Sequence, residues 1–110
     1  LKQQDVSVST PVDFYVVSRG DRAEANALTL AQRLRNLNFT VDLDLSGSAF
    51  GKQFKRADRS GAAGCFILGD TEAEQGSAQL KWLESGEQEE VKQADLEAIA
   101  STLRNKLASV

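Results

Sequence analysis

The sequence predicts an α/β domain in which a short parallel sheet is followed by an antiparallel hairpin and a closing helix. Three observations support this fold class. β-favouring apolar runs alternate with helical patterns, a turn at Ser85-Gly86 separates two later strands, and an apolar stripe recurs at helical spacing near the end. The 110-residue length fits one domain with its own core.

Three segments predict the parallel part of the sheet. The run at 13–18 is mostly apolar, as expected of a central strand covered on both faces. Apolar and polar residues alternate at 39–45, which is typical of an edge strand with one wetter face. We therefore expect Asp42 and Asp44 to be exposed polar positions rather than a catalytic carboxylate pair. The apolar segment 63–69 gives the third strand.

Helical patterns connect these strands. Asp21 and Glu24 have the spacing of a capping box, and apolar residues then recur at helical spacing as far as Leu37. A shorter helix is predicted from about Phe50 to Arg59. Strand, helix, strand, helix, strand is the order of a parallel α/β unit.

The pattern changes in the last third of the chain. We expect a polar loop from 70 to 76, a hairpin with strands at 78–82 and 87–91, and a final amphipathic helix at 96–107. Trp82 fits either a core position facing that helix or a partly exposed platform on which a base or a partner domain stacks.

Composition narrows the function classes. The chain has no histidine, so it lacks the commonest general base near neutral pH and the commonest metal ligand. The sequence also contains no glycine-rich nucleotide motif. We therefore predict that this chain holds no catalytic site, no metal and no cofactor.

The single cysteine and the first eleven residues indicate where the protein is located and where the domain begins. Cys65 is the single cysteine and lies in an apolar strand, so a buried, inert thiol and a cytoplasmic location are expected. No apolar run approaches the roughly 20 residues that span a bilayer. Residues 1–11 have the composition of a linker, and we expect the domain proper to occupy residues 12–110. We also expect the chain to be a piece of a longer protein.

The most informative pattern lies between Phe50 and Gly61. On a helix, Phe50, Phe54 and Ala57 share one face. Four cations lie on another face: Lys52, Lys55, Arg56 and Arg59. Against the single Asp58 they leave this segment at +3 in a chain whose total charge is -3, so charge is segregated.

The position of this helix favours a ligand surface. A solvated helix face would show the same stripe of cations. In open α/β sheets, however, ligands bind at the C-terminal ends of the strands, and the basic helix begins just after the second strand. Arg19-Gly20 and Gly69-Asp70 end the other two parallel strands, so their loops should converge with the helix.

The second predicted strand and the basic helix together form the most specific signature in the sequence. The segments are Val41-Asp42-Leu43-Asp44-Leu45-Ser46-Gly47 and Gly51-Lys52-Gln53-Phe54-Lys55-Arg56-Ala57-Asp58. This signature resembles that of the anticodon-binding domain of histidyl-tRNA synthetases. Shorter similar segments lie at 14–18, 67–70 and 86–88, so the resemblance covers nearly all of the chain after residue 11.

The resemblance implies a three-layer anticodon-binding-domain fold with a mixed five-stranded sheet and three helices. It implies that the domain holds the anticodon loop of histidine tRNA. It further implies a separate N-terminal catalytic domain that binds ATP and Mg and charges the tRNA. The resemblance also implies a homodimeric parent, and we expect this chain alone to be a monomer.

Applied to this sequence, the resemblance implies RNA contacts by the basic segment and by its neighbours at the strand ends. The residues are Arg19, Ser46, Gly47, Lys52, Gln53, Lys55, Arg56 and Arg59. Lysine and arginine can neutralise loop phosphates, and arginine and glutamine can also bind the edges of unstacked bases.

Two other functions stay open at this point. A synthetase-like regulatory or interaction module that no longer charges tRNA would keep the same pattern. A free-standing small-molecule domain would instead contain a closed apolar pocket and would be indifferent to RNA.

Overall fold

A computed structural model describes residues 12–44, 46 and 49–108, and the predicted linker at 1–11 lies outside them. In chain order the elements are β1 (Phe14–Ser18), α1 (Asp21–Asn36), β2 (Val41–Leu43), α2 (Phe50–Ser60), β3 (Gly64–Leu68), α3 (Asp70–Gln75), β4 (Ser77–Trp82), β5 (Gln88–Lys92) and α4 (Leu96–Ala108), with a 3₁₀ turn at Gln93–Asp95. None of the helices in this described part is long and apolar enough to span a membrane.

The five described strands form one mixed sheet in the order β2-β1-β3-β4-β5. β1 is parallel to both β2 and β3, and Phe14 lies opposite Val41 on one side and Gly64 on the other. β4 runs antiparallel to β3 and to β5. The predicted mixed sheet, with a central first strand, an edge second strand and a C-terminal hairpin, is confirmed.

The larger part of the core lies between the sheet and the helices α1 and α4. Phe14 is at its centre and makes edge-to-face contacts with Phe39, Phe66 and Trp82, at centroid distances of 5.3, 5.1 and 5.9 Å. Trp82 is 6% exposed, with the ammonium of Lys106 from α4 over its ring. Trp82 therefore belongs to the core and faces the last helix.

The opposite face of the sheet is covered by α2. Tyr15, Val17 and Cys65 pack against Ala57 of the helix, and Phe54 lies at the margin of this smaller cluster. Cys65 is fully buried, so the predicted buried thiol is confirmed, and burial raises the pKa of its thiol to about 12. Helices on both faces of the sheet give the predicted three layers.

The segment after β3 differs from the predicted loop, because it forms the six-residue helix α3. The carboxylate of Glu72 accepts the backbone N–H of Gly69 at 2.8 Å, and Gly76 ends the helix with φ 70°. No residue of α3 is buried, so its sequence carries no apolar periodicity. The described residues therefore contain four α-helices rather than three.

The start of α1 also differs from the prediction. Asp21 is already helical, the N-cap position is Gly20, and no side chain at that position caps the helix. The carboxylate of Asp70 instead accepts the backbone N–H of Ala23 at 3.3 Å. The first turn of α1 is thus capped from the junction of β3 and α3.

Candidate nucleic-acid interface

The C-terminal ends of β1, β2 and β3 lie at one edge of the sheet, and the backbone there ties them together. The N–H of Arg19 donates to the carbonyl of Leu68 at 3.1 Å, which joins the ends of β1 and β3. The N–H of Asp44 donates to the carbonyl of Val16 at 2.9 Å, which joins β2 to β1. The predicted convergence of these loops is confirmed, and we call this region the strand-end edge.

α2 begins beside the strand-end edge and exposes four cations along its length. Phe50 and Phe54 turn toward the sheet and stack at a centroid distance of 5.9 Å. The opposite side of the helix, which we call the basic face, consists of Lys52, Lys55, Arg56 and Arg59, all exposed. Within the described part of the chain, Lys52, Lys55 and Arg59 form no ion pair with a carboxylate.

Gln53 is fully buried beneath α2, and its amide binds the backbone at the end of β1. The side-chain oxygen accepts the N–H of Ser18 at 3.0 Å, and the side-chain nitrogen donates to the carbonyl of Ser18 at 2.8 Å. These bonds satisfy two backbone groups that are buried away from solvent. Gln53 is among the predicted RNA contacts, and in this structure its side chain is buried and fixes α2 to β1.

Asp44 forms a second buried polar link between α2 and the sheet. Asp44 lies on the face of the sheet that α2 covers, beside Tyr15 and Arg56, and it is therefore 4% exposed rather than solvated as predicted. Its carboxylate accepts the hydroxyl of Tyr15 at 3.1 Å and the N–H and hydroxyl of Ser46 at 2.9 and 2.5 Å. The guanidinium of Arg56 donates to the same carboxylate at 3.1 Å.

These hydrogen bonds decide the charge of Asp44. Burial raises the pKa of its carboxyl, but the bonds from Ser46, Arg56 and Tyr15 outweigh burial and bring the pKa below the ordinary 3.8. Asp44 is therefore ionised at neutral pH. Its side chain is 2% exposed and that of Arg56 is 43% exposed, so Arg56 joins a buried anion to the surface.

Tyr15 provides a direct spectroscopic test of this network. Burial, together with the hydrogen bond to Asp44 and the negative charge of Asp44, raises the pKa of the phenol to about 12. Because Tyr15 is the single tyrosine, tyrosinate absorbance reports it alone. We expect half-ionisation at about pH 12 in the folded chain and close to 10 in denaturant.

The dependence of stability on pH is a second measurement of the pKa shift of Tyr15. A raised pKa means that the contribution of Tyr15 to stability is complete below pH 10 and is lost as the pH rises toward 12. Ionisation of the folded chain at the ordinary pKa would show that the phenol is exposed and that the network does not exist as described.

The predicted site residues outside α2 lie at the strand-end edge where the structure describes them. Arg19 and Ser46 are exposed at the strand-end edge, and Gly47 lies outside the described residues. Tyr15 and Asp44 were not predicted as parts of the site. The spacing of Asp44 and Ser46 carried a signal, since aspartate side chains commonly accept the N–H two residues on. No sequence pattern distinguishes Tyr15, because it is one of several residues in an apolar strand.

Comparison with known proteins identifies the domain. A family model described as an anticodon binding domain matches residues 13–103, which include every described strand and the basic face. The chain belongs to the anticodon-binding domain family. The fold implied by the sequence resemblance is thereby confirmed.

Relatives of this anticodon-binding domain are histidine–tRNA ligases. The chain is 55% identical over 109 residues to that of Acaryochloris marina (strain MBIC 11017), which covers 99% of this chain and 25% of the relative. It is 58% identical over 108 residues to that of Cyanothece sp. (strain PCC 7425 / ATCC 29141), which covers 98% of this chain and 25% of the relative. The chain thus spans about a quarter of the length of the curated relatives it matches.

A solved structure agrees with this assignment. The crystal structure of histidyl-tRNA synthetase from Nostoc sp. PCC 7120 superposes on the anticodon-binding domain with a TM-score of 0.76 at 39% identity. The match covers 86% of this chain and 23% of the synthetase. The predicted resemblance to histidyl-tRNA synthetases is therefore confirmed by sequence and by structure.

Proposed function

We propose that this domain binds the anticodon loop of histidine tRNA through the basic face and the strand-end edge. The observation that carries the proposal is the position of four exposed cations on one helix, beside three converging loops, in a member of the anticodon-binding domain family. An anticodon loop offers phosphates and unstacked bases in the same small volume, and lysine and arginine bind those groups.

The cations divide into two roles. Lys52 and Lys55 suit phosphates, because an ammonium is a flexible point charge that supplies affinity without choosing a base. Arg56 and Arg59 suit base edges, because a guanidinium presents several donors in one plane. Arg19 adds a cation at the end of β1, where the loop can meet the sheet.

We infer that the whole protein is a histidine–tRNA ligase of the cytoplasm. Its separate N-terminal catalytic domain would use ATP and Mg²⁺ to charge the tRNA, while this domain would need no cofactor to hold the anticodon. The quarter-length match to histidine–tRNA ligases supports this division. We further infer that the whole enzyme dimerises mostly through its catalytic part, and that this chain alone is a monomer.

The Arg56→Ala, Arg59→Ala double variant tests the proposed function. We expect it to weaken binding to the histidine tRNA anticodon stem-loop by more than about tenfold, since an arginine that reads a base contributes roughly 1–3 kcal/mol. Binding to a stem-loop with altered anticodon bases should already be weak and should change little. Fluorescence anisotropy of labelled stem-loops at fixed low salt measures both affinities.

The Arg33→Ala, Lys106→Ala double variant is the matched control. It removes two positive charges from α1 and α4, on the face of the sheet opposite α2. The exposed ion pairs of Arg33 with Glu97 and of Lys106 with Glu89 contribute little to stability, and Lys106 also lies over the ring of Trp82, so urea unfolding of the control is measured beside its affinity. Equal binding of matched and altered loops by the unmodified chain would reject anticodon readout and favour the regulatory module.

A further inference from the structure

We propose that Asp44 is a positioning residue, which holds Arg56 toward the RNA with Ser46 as a bridge between them. This inference rests on the proposed binding of RNA by the basic face. In this proposal the buried carboxylate of Asp44 contributes to RNA binding without contacting the RNA.

The geometry leaves the carboxylate of Asp44 one orientation. Its Oδ1 accepts both the N–H and the hydroxyl of Ser46, and its Oδ2 accepts the hydroxyl of Tyr15 and Nη1 of Arg56. The donors come from β1, from the segment after β2 and from α2. A rotation of the carboxylate would break bonds to at least two of these segments, so Arg56 has a fixed acceptor.

Ser46 completes the positioning of the guanidinium. Nη1 of Arg56 donates to the hydroxyl oxygen of Ser46 at 2.8 Å as well as to Asp44. One nitrogen is therefore held by Oδ2 of Asp44 and by the hydroxyl oxygen of Ser46, and that hydroxyl donates to Oδ1 of the same carboxylate. This arrangement restricts the side-chain torsions of Arg56 before any ligand arrives.

The burial of the anion separates this ion pair from the others in the described residues. The carboxylate side chains in the pairs of Arg22, Arg33 and Lys106 are 53–59% exposed, whereas that of Asp44 is 2% exposed. A buried carboxylate keeps its cation far more firmly than a solvated one, because water cannot replace the partner.

This restraint bears on RNA selection. A free arginine loses rotamer entropy when it binds, and an arginine already held in place loses less. Arg56 is held, whereas Lys52, Lys55 and Arg59 have no ion pair within the described residues. Arg56 is thus the member of the basic face best prepared to read one base rather than to follow the backbone.

A double-mutant cycle tests the positioning role. We expect Asp44→Asn to weaken binding of the matched stem-loop about tenfold in the unmodified chain and less than about twofold in the Arg56→Ala background, because the effect passes through Arg56. Affinity for the altered loop should change little in either background. The pKa of Tyr15, read from tyrosinate absorbance, should fall in Asp44→Asn and so report that the buried charge is gone.

The outcomes separate the two hypotheses. The same loss of affinity in both backgrounds would mean that Asp44 supports the fold only, and it would overturn the positioning role while leaving RNA binding intact. Failure of the unmodified chain to prefer the matched loop would overturn both. Coupling between the two substitutions supports both.

If Asp44→Asn does not fold, Ser46→Ala decides the question. Ser46 is exposed, so its replacement should leave the domain folded, and it removes the bridge to Arg56. We expect about a threefold loss of affinity for the matched loop, absent in the Arg56→Ala background. An equal loss in both backgrounds, or no loss in either, would overturn the proposal.

Discussion

Replacing Gly20 with alanine is expected to lower the free energy of unfolding by about 3 kcal/mol. Gly20 has φ 109° and ψ 152°, a backbone conformation essentially confined to glycine. A Cβ at this position would also lie 2.3 Å from Oδ1 of Asp70, the oxygen that caps Ala23 in α1. Asp70 cannot move aside without giving up that cap.

The measurement for Gly20→Ala is urea unfolding followed by the fluorescence of Trp82, which is the single tryptophan and is buried in the core. Gly51→Ala is the matched control. Nothing lies within 4 Å of a Cβ at Gly51, and its backbone is helical, so alanine should stabilise the chain by up to about 1 kcal/mol. A neutral effect at Gly20 would mean that the strand-end edge is not built as described.

The sequence patterns predicted the elements that are defined by burial along one segment. β1 and β3 are covered on both faces and therefore appear as apolar runs, and the helix α1 shows its buried side at Ala27, Leu30 and Leu34. The cap of α1 could not be predicted in this way. It comes from Asp70, which is 47 positions from Ala23 along the chain.

The exposed half of the candidate site was predictable, and the buried half was not. The cations of α2 lie opposite Phe50 and Phe54, so an amphipathic pattern places them in solvent. The same pattern assigns every polar residue to the surface by default. Asp44 and Gln53 break that rule, because their partners on the sheet, Tyr15 and Ser18, lie 29 and 35 positions away.

Replacing Gln53 with leucine is expected to lower the free energy of unfolding by about 3 kcal/mol. Leucine has a similar volume, so the loss comes from the N–H and carbonyl of Ser18, which stay buried without partners. Urea unfolding with Trp82 fluorescence measures the change. Gln32→Leu, at an exposed position of α1, is the control and should change stability by less than about 0.5 kcal/mol.

This substitution also decides between two roles for Gln53. If Gln53 contacts RNA, its replacement should lower the affinity of the domain for RNA and leave the stability of the domain unchanged, as expected for an exposed binding residue. If Gln53 anchors α2 to β1, its replacement should lower the stability of the domain. Normal stability together with lost preference for the matched stem-loop would restore the direct contact that the sequence predicts and remove the anchoring role.

The Gln53→Glu variant identifies which of the two bonds matters. An ionised glutamate can accept the N–H of Ser18 but cannot donate to its carbonyl, whereas the protonated acid can do both. Burial beside a carbonyl should raise the pKa of the new carboxyl, so the stability it contributes is complete at acid pH and lost as the pH rises. The stability difference from the unmodified chain should therefore narrow as the pH falls toward about 4. A difference independent of pH would mean that the donor to Ser18 contributes nothing.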